Sequence, residues 1–144
     1  KKKISEISWK PDLILASYHG IPQEYFDKGD PYQCYCQKTT RLMNEKFQDI
    51  LIQTTFQSRF GPSKWLTPYT DKILEKLPGE GKKNVLMICP GFASDCVETL
   101  EEINIQGRET FMSNGGEHFE FVPCLNDNSD HILLFENLIR KYLI

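Results

Sequence analysis

His19, Asp95, Glu98 and Glu102 are the residues of this sequence whose types and placement can do chemistry together. A neutral imidazole and carboxylates that share a pocket can take protons from an acidic N–H group. The same set can hold a divalent cation through mixed nitrogen and oxygen ligands. Asp95, Glu98 and Glu102 follow an i, i+3, i+7 spacing, which on an α-helix lines three carboxylates along one face. Like charges so placed cost a helix roughly a few tenths of a kcal/mol per pair. Each part has an ordinary reading by itself: a structural histidine, an acid suited to the helix dipole, a solvated acidic face. Their convergence on one pocket is what argues for a site.

The elements that position them read as repeated βα units. Asp12-Leu-Ile-Leu-Ala-Ser17 is continuously apolar and bounded by Pro11, which predicts a buried parallel strand. Asp30-Pro31 supplies a capping carboxylate and a helix-starting proline for a helix through about Glu45. Ile50 to Phe56 predicts the second strand. Thr67-Pro68 repeats the cap-and-proline start, and Leu77-Pro78-Gly79 ends that helix. Val85 to Ile88 is the third expected strand. Its helix starts near Ser94 or Asp95, buries Val97, Leu100 and Ile103 along one stripe, and stops at Gly115-Gly116. Phe119 to Val122 predicts the fourth strand. A closing helix from about Ser129 carries Ile132, Leu133, Leu138, Ile139 and Tyr142.

This pattern predicts a three-layer α/β domain, a four-stranded parallel sheet of order 2-1-3-4 flanked by helices, in the Rossmann-like style. In that order the first and third strands are neighbours at the topological switch point, where ligands bind beyond the carboxyl ends. The loops there are Ser17 to Pro22 and Cys89 to Asp95. Topology alone therefore brings His19, just past its strand, to the start of the third helix.

Composition narrows the class. The 144 residues suit one domain, with 40% hydrophobic and 26% charged residues, as in ordinary globular proteins. A net charge of −3 gives no basic face for nucleic acid. The basic run Lys1 to Lys3 is expected to be a frayed end. The edge loops lack a glycine-rich phosphate pattern, which disfavours phosphate chemistry. The five cysteines, Cys34, Cys36, Cys89, Cys96 and Cys124, fit no zinc spacing and read as reduced thiols of an intracellular protein. A thiol nucleophile at Cys89 or Cys96 paired with His19 is an alternative chemistry.

Aromatic residues crowd the same edge: Tyr18, Tyr25, Phe26, Tyr32, Phe60, Trp65 and Phe92. Together they would suit a large, flat, apolar ligand. Ser17-Tyr-His-Gly-Ile-Pro-Gln-Glu-Tyr-Phe-Asp-Lys-Gly-Asp-Pro-Tyr32 resembles the ferrochelatase segment that bears the catalytic histidine. Thr55-Phe-Gln-Ser-Arg-Phe-Gly61 and Trp65-Leu-Thr-Pro-Tyr-Thr-Asp71 resemble its porphyrin-site loop. Cys89-Pro-Gly-Phe-Ala-Ser-Asp-Cys-Val-Glu-Thr-Leu-Glu-Glu102 resembles its glutamate signature. The wording is nearest to the Gram-negative bacterial branch.

The resemblance implies a chelatase-like fold and insertion of ferrous iron into protoporphyrin IX to form protohaem, the last step of haem biosynthesis. It implies His19 and Glu98 as catalytic and metal-contacting residues, Asp95 and Glu102 as a proton or metal relay, and Tyr18 and Trp65 as porphyrin-binding residues. Cys96 stands where the animal enzymes have a histidine. Iron is expected as a substrate, with no permanent cofactor and no iron–sulfur cluster. Residues 1–144 are expected to be the C-terminal domain of a longer chain whose N-terminal domain, absent here, supplies the opposite wall of the porphyrin cleft. The fragment alone is then expected to be inactive and to hold porphyrin weakly. A cytoplasmic location with peripheral contact at the inner membrane is the matching expectation. A non-catalytic tetrapyrrole- or metal-binding domain, or an unrelated flavodoxin-like or periplasmic-type binding domain, are the alternatives.

Overall fold

The computed structural model of the chain describes residues 2–143. In chain order the elements are α1 (Lys2–Glu6), β1 (Leu13–His19), α2 (Gln23–Asp27), α3 (Tyr32–Lys46), β2 (Ile52–Gln57) and α4 (Thr70–Lys76). There follow a 3-10 turn (Leu77–Glu80), β3 (Asn84–Ile88), a π-helix (Glu98–Gly107), α5 (Arg108–Ser113), β4 (His118–Phe121) and α6 (Ser129–Arg140). The sheet has four strands in the order β2-β1-β3-β4, and every pairing is parallel. The expected 2-1-3-4 order is thus the observed one.

Strand periodicity sorts the core into two layers. Leu13 and Leu15 of β1, Val85 and Met87 of β3, and Phe119 and Phe121 of β4 face Leu74, Ile103 and Phe111. Ile14, Ala16 and Tyr18 of β1, with Ile52 and Phe56 of β2, face Cys36 of α3 and Leu66 on the other side. Alternate residues of a strand point to opposite faces, so both faces of β1 are buried and the strand reads as a continuous apolar run.

Several elements differ from the sequence expectation. The run expected to fray at the amino end instead forms α1, where Lys3 Nζ lies 2.6 Å from Glu120 Oε1. Lys1 lies outside the described residues. β1 reaches two residues beyond Ser17, so His19 is the last residue of the strand rather than the first of the loop. The connection after it holds α2, and α3 starts where expected, with Asp30 Oδ1 accepting from the Tyr32 N–H at 2.8 Å. Thr67-Pro68 does not start a helix: it is a cis peptide in a bend, Pro68 O accepts from Phe56 N at 2.8 Å, and α4 begins at Thr70.

The third helix departs most. It is a π-helix from Glu98 to Gly107 that passes into α5. Val97 and Leu100, expected to be buried, are 67% and 46% exposed, whereas Ile103 is 1% exposed. The residues it buries are Thr99, Ile103 and Gly107, spaced by four. An α-helix turns about 100° per residue, so steps of four overshoot by roughly 40° each. The element that carries them is wound with the wider i→i+5 turn. Gly107 fits a close approach, since a Cβ there would lie 3.2 Å from Leu74 Cδ1.

α6 also differs from an ordinary closing helix. Its N-cap is Asn128, whose side chain accepts from the Asp130 N–H. Only His131 is buried on it, and Ile132, Leu133, Leu134, Phe135, Leu138 and Ile139 are exposed. No described helix is long and apolar enough to cross a membrane.

Candidate active site

His19 closes β1 at the carboxyl edge. Its Nδ1 lies 2.6 Å from Gly20 O. A carbonyl can only accept, so Nδ1 carries a proton, and in the neutral tautomer this selects, the lone pair is on Nε2. The ring sits between Trp65 and Phe92, each with its centroid 6.4 Å away. The Tyr32 hydroxyl donates to His19 O at 2.8 Å, which ties α3 to the same point. Gly20 belongs to the site for want of a side chain: a Cβ would lie 3.0 Å from Gln57 O and 3.1 Å from the Trp65 ring.

Glu98 opens the π-helix, and its carboxyl is held below the usual carboxylate range. The Cys96 side chain contributes most, then its own backbone N–H, with the nearby His19 ring adding to the effect. β1 and β3 are adjacent, so the strand end bearing His19 and the helix start bearing Glu98 meet as expected. No hydrogen bond joins the two side chains.

The carboxylate ladder does not form. Asp95 faces the segment after β4: its Oδ1 accepts from Cys124 N at 3.1 Å and its Oδ2 from Asn126 Nδ2 at 2.8 Å. Thr99 Oγ1 donates to it as well, at 3.1 Å. Burial works to raise the Asp95 pKa, and the hydrogen bonds from Asn126, Cys124 and Thr99 outweigh it, leaving the carboxyl below its ordinary value. Glu102 is engaged elsewhere, by Ser58 N at 2.6 Å and Ser58 Oγ at 2.5 Å. Ser58 holds a left-handed φ of 64°, a conformation that costs a non-glycine residue about 1–2 kcal/mol and that these two bonds offset. The three acids therefore point to three different partners, because Asp95 lies before the first helical turn and the turns from Glu98 onward are π.

The structure places Tyr18 in the core, away from the His19 side chain. Adjacent strand residues face opposite ways, so Tyr18 cannot share the His19 side. It is 3% exposed, with its hydroxyl 3.0 Å from Thr40 Oγ1 in the core under α3. Burial pushes its pKa up. Trp65 does stand beside His19 but is 6% exposed, with Nε1 donating to Phe60 O at 3.0 Å and its ring 5.6 Å from Phe60. Phe60 is the exposed aromatic of this group, at 79%.

Of the two candidate thiols, Cys89 is buried and disfavoured as a nucleophile. Burial drives the Cys89 thiol far above its ordinary pKa, and the first cause of the rise of Cys124 to about 12 is also burial. A nucleophilic thiolate needs the opposite shift. All five cysteines are free; Cys34 is exposed while Cys36 is buried.

Sequence reasoning took Gln57 and Ser58 only as part of the loop Thr55 to Gly61 and gave neither a role of its own, whereas Gln57 bonds the Glu98 carbonyl and Ser58 bonds Glu102. The signal was present: with strand order 2-1-3, a polar residue ending β2 must stand next to His19.

Among the described residues no group of three or more histidines, cysteines and acids is arranged to hold a metal ion. His19 and Glu98 can supply two donors, which suits a cation in passage more than one held permanently.

A four-stranded parallel sheet with a histidine and an acidic side chain at its switch point defines the class: an open α/β domain whose carboxyl edge is the place where such folds bind ligands. The sequence comparisons name the family. The family model described as Ferrochelatase matches residues 1–143, and the chain belongs to the ferrochelatase family. It is 54% identical over 145 residues to a ferrochelatase of Rhizobium meliloti (strain 1021) and 50% identical over 145 residues to that of Agrobacterium fabrum (strain C58 / ATCC 33970). Each match covers 99% of this chain and 42% of the relative, so the chain spans well under half of those proteins. In fold it is similar to a solved cobalamin (vitamin B12) biosynthesis CbiX protein from Marinobacter aquaeolei VT8. The TM-score is 0.58 at 13% identity, covering 92% of this chain and 98% of that one.

Proposed function

We propose that this domain carries the His19–Glu98 half of a site that inserts ferrous iron into protoporphyrin to form protohaem. One observation carries the reading: Nδ1 of His19 is committed to Gly20 O, leaving Nε2 as the open ring nitrogen, and the neighbouring Glu98 carboxyl is biased toward its ionised form. Two pyrrole N–H protons must leave as the metal enters, and a fixed lone pair beside a carboxylate suits both proton acceptance and a brief metal contact. Iron enters as substrate, with no resident cofactor or iron–sulfur cluster in the scheme. Phe60, over Trp65, offers an aromatic surface for one face of the macrocycle.

The other wall of the cleft is assigned to the part of the relatives that this chain does not span. The apolar face of α6 supports this, because a helix that buries one residue and exposes six large apolar ones lacks its packing partner. Activity then belongs to the full chain. A cytoplasmic setting with peripheral contact at the inner membrane is part of the same proposal.

The test is iron insertion by the full chain, followed as the porphyrin spectrum converts to that of haem. His19→Ala is expected to lower the rate by roughly 100-fold or more, the range lost with a general base. A variant that kept the normal rate would overturn the assignment.

A further inference from the structure

Gln57 ends β2 with only 4% of its surface exposed, and it lies opposite His19 in the parallel pairing of β1 with β2. Its carbonyl accepts from Gly20 N at 2.8 Å. Its side chain reaches the other way: Nε2 donates to the main-chain carbonyl of Glu98 at 2.6 Å. That carbonyl can only accept, which settles how the amide is turned. Oε1 then receives Ser17 Oγ at 2.7 Å and, more weakly, Cys89 Sγ at 3.7 Å. Behind Ser17, Thr70 Oγ1 lies 2.8 Å away, and Thr70 donates to Thr55 Oγ1 at 2.9 Å. The buried hydroxyls thus back the amide, and no buried side-chain polar atom among the described residues lacks a partner.

We infer that Gln57 is a positioning residue for the His19–Glu98 pair, setting their separation from within the sheet without touching substrate. The inference rests on the function proposed above. A buried glutamine can be no more than a satisfied polar group of the core. What distinguishes this one is the identity of its partners. On one side they are the residues two before and one after His19; on the other is the first residue of the π-helix that presents Glu98. The position needs a donor and an acceptor at once, a requirement that an amide meets. Glutamate would lose the donor to Glu98 O and bring a carboxylate toward Glu102, whose Oε2 is 3.4 Å from Nε2. Methionine would fill the space and make neither bond.

The experiment compares the full chain with its Gln57→Met and Gln57→Glu variants. It reads steady-state iron insertion across pH, thermal melting, and the ring resonances of selectively labelled His19. Misplacement of reacting groups by about 1 Å costs on the order of 100-fold in rate. Expected for both variants is a kcat lowered by roughly 10- to 100-fold, with KM for porphyrin within about twofold of the parent. The His19 ring resonances are expected to move in both variants, and the pH profile to change in Gln57→Glu. Unchanged kcat and pH profile in folded variants overturn the inference and leave the proposed function standing. So does a fall in activity that only tracks melting, with His19 resonances unmoved. A parent chain that inserts no iron overturns the proposed function instead, and the His19 resonances then decide the positioning role alone.

Discussion

The imidazole of His19 and the carboxylate of Glu98 meet at the carboxyl edge of the sheet without a hydrogen bond between them, each held from behind by other groups. Gly20 O fixes the ring through Nδ1, and Gln57 Nε2 fixes the Glu98 main chain. The pair is therefore held by its supports, with no hydrogen bond between the two side chains.

Cys96 is expected to tune the acid side of the reaction. Its side chain is the largest of the influences that hold the Glu98 carboxyl low. Cys96→Ala removes it, so Glu98 takes up a proton at higher pH as the medium is acidified. The acid limb of the pH–rate profile of the full chain should move to higher pH. A limb that stays in place would show that Glu98 ionisation does not govern it.

Asp95 is expected to act on stability. Its carboxylate accepts bonds from Asn126, Cys124 and Thr99, and loss of such charge-assisted bonds costs about 2 kcal/mol. Denaturant unfolding of Asp95→Ala should show that loss near neutral pH. The sign with pH follows from the lowered pKa. The contribution is fully present above the unfolded value near 3.8 and is lost as pH falls through the lower folded value. The difference between parent and variant should therefore shrink below about pH 4. A difference that persists there would assign the effect to packing.

The face of α6 is expected to make the isolated chain associate. Contiguous exposed apolar surface drives self-association unless a partner covers it. Leu134→Lys with Leu138→Lys should shift the chain toward monomer in sedimentation velocity, and the same changes in the full chain should weaken the seat of its other domain and lower its melting temperature. If the full chain tolerates both lysines unchanged, α6 faces solvent there and the docking assignment is wrong.

Much of this protein was legible before any coordinates. Apolar runs at Asp12 to Ser17 and Val85 to Ile88, separated by helical stretches, predicted a parallel sheet, because strands buried on both faces read as near-continuous apolar segments. The order of those strands then placed His19 near Glu98. What tertiary structure decided was orientation. A one-residue step along β1 sends Tyr18 into the core and His19 into the crevice, so nearness in sequence did not mean sharing a site. The i, i+3, i+7 spacing promised one acidic face only if the backbone were an α-helix from Asp95 onward. Contacts from Gln57, Ser58 and Asn126, all distant in sequence, accompany a different geometry that turns Asp95 and Glu102 away from Glu98. Residue types are local and announce which chemistry is available. The side on which each group ends up depends on hydrogen bonds made across the fold, and those exist only once the sheet has brought their partners together.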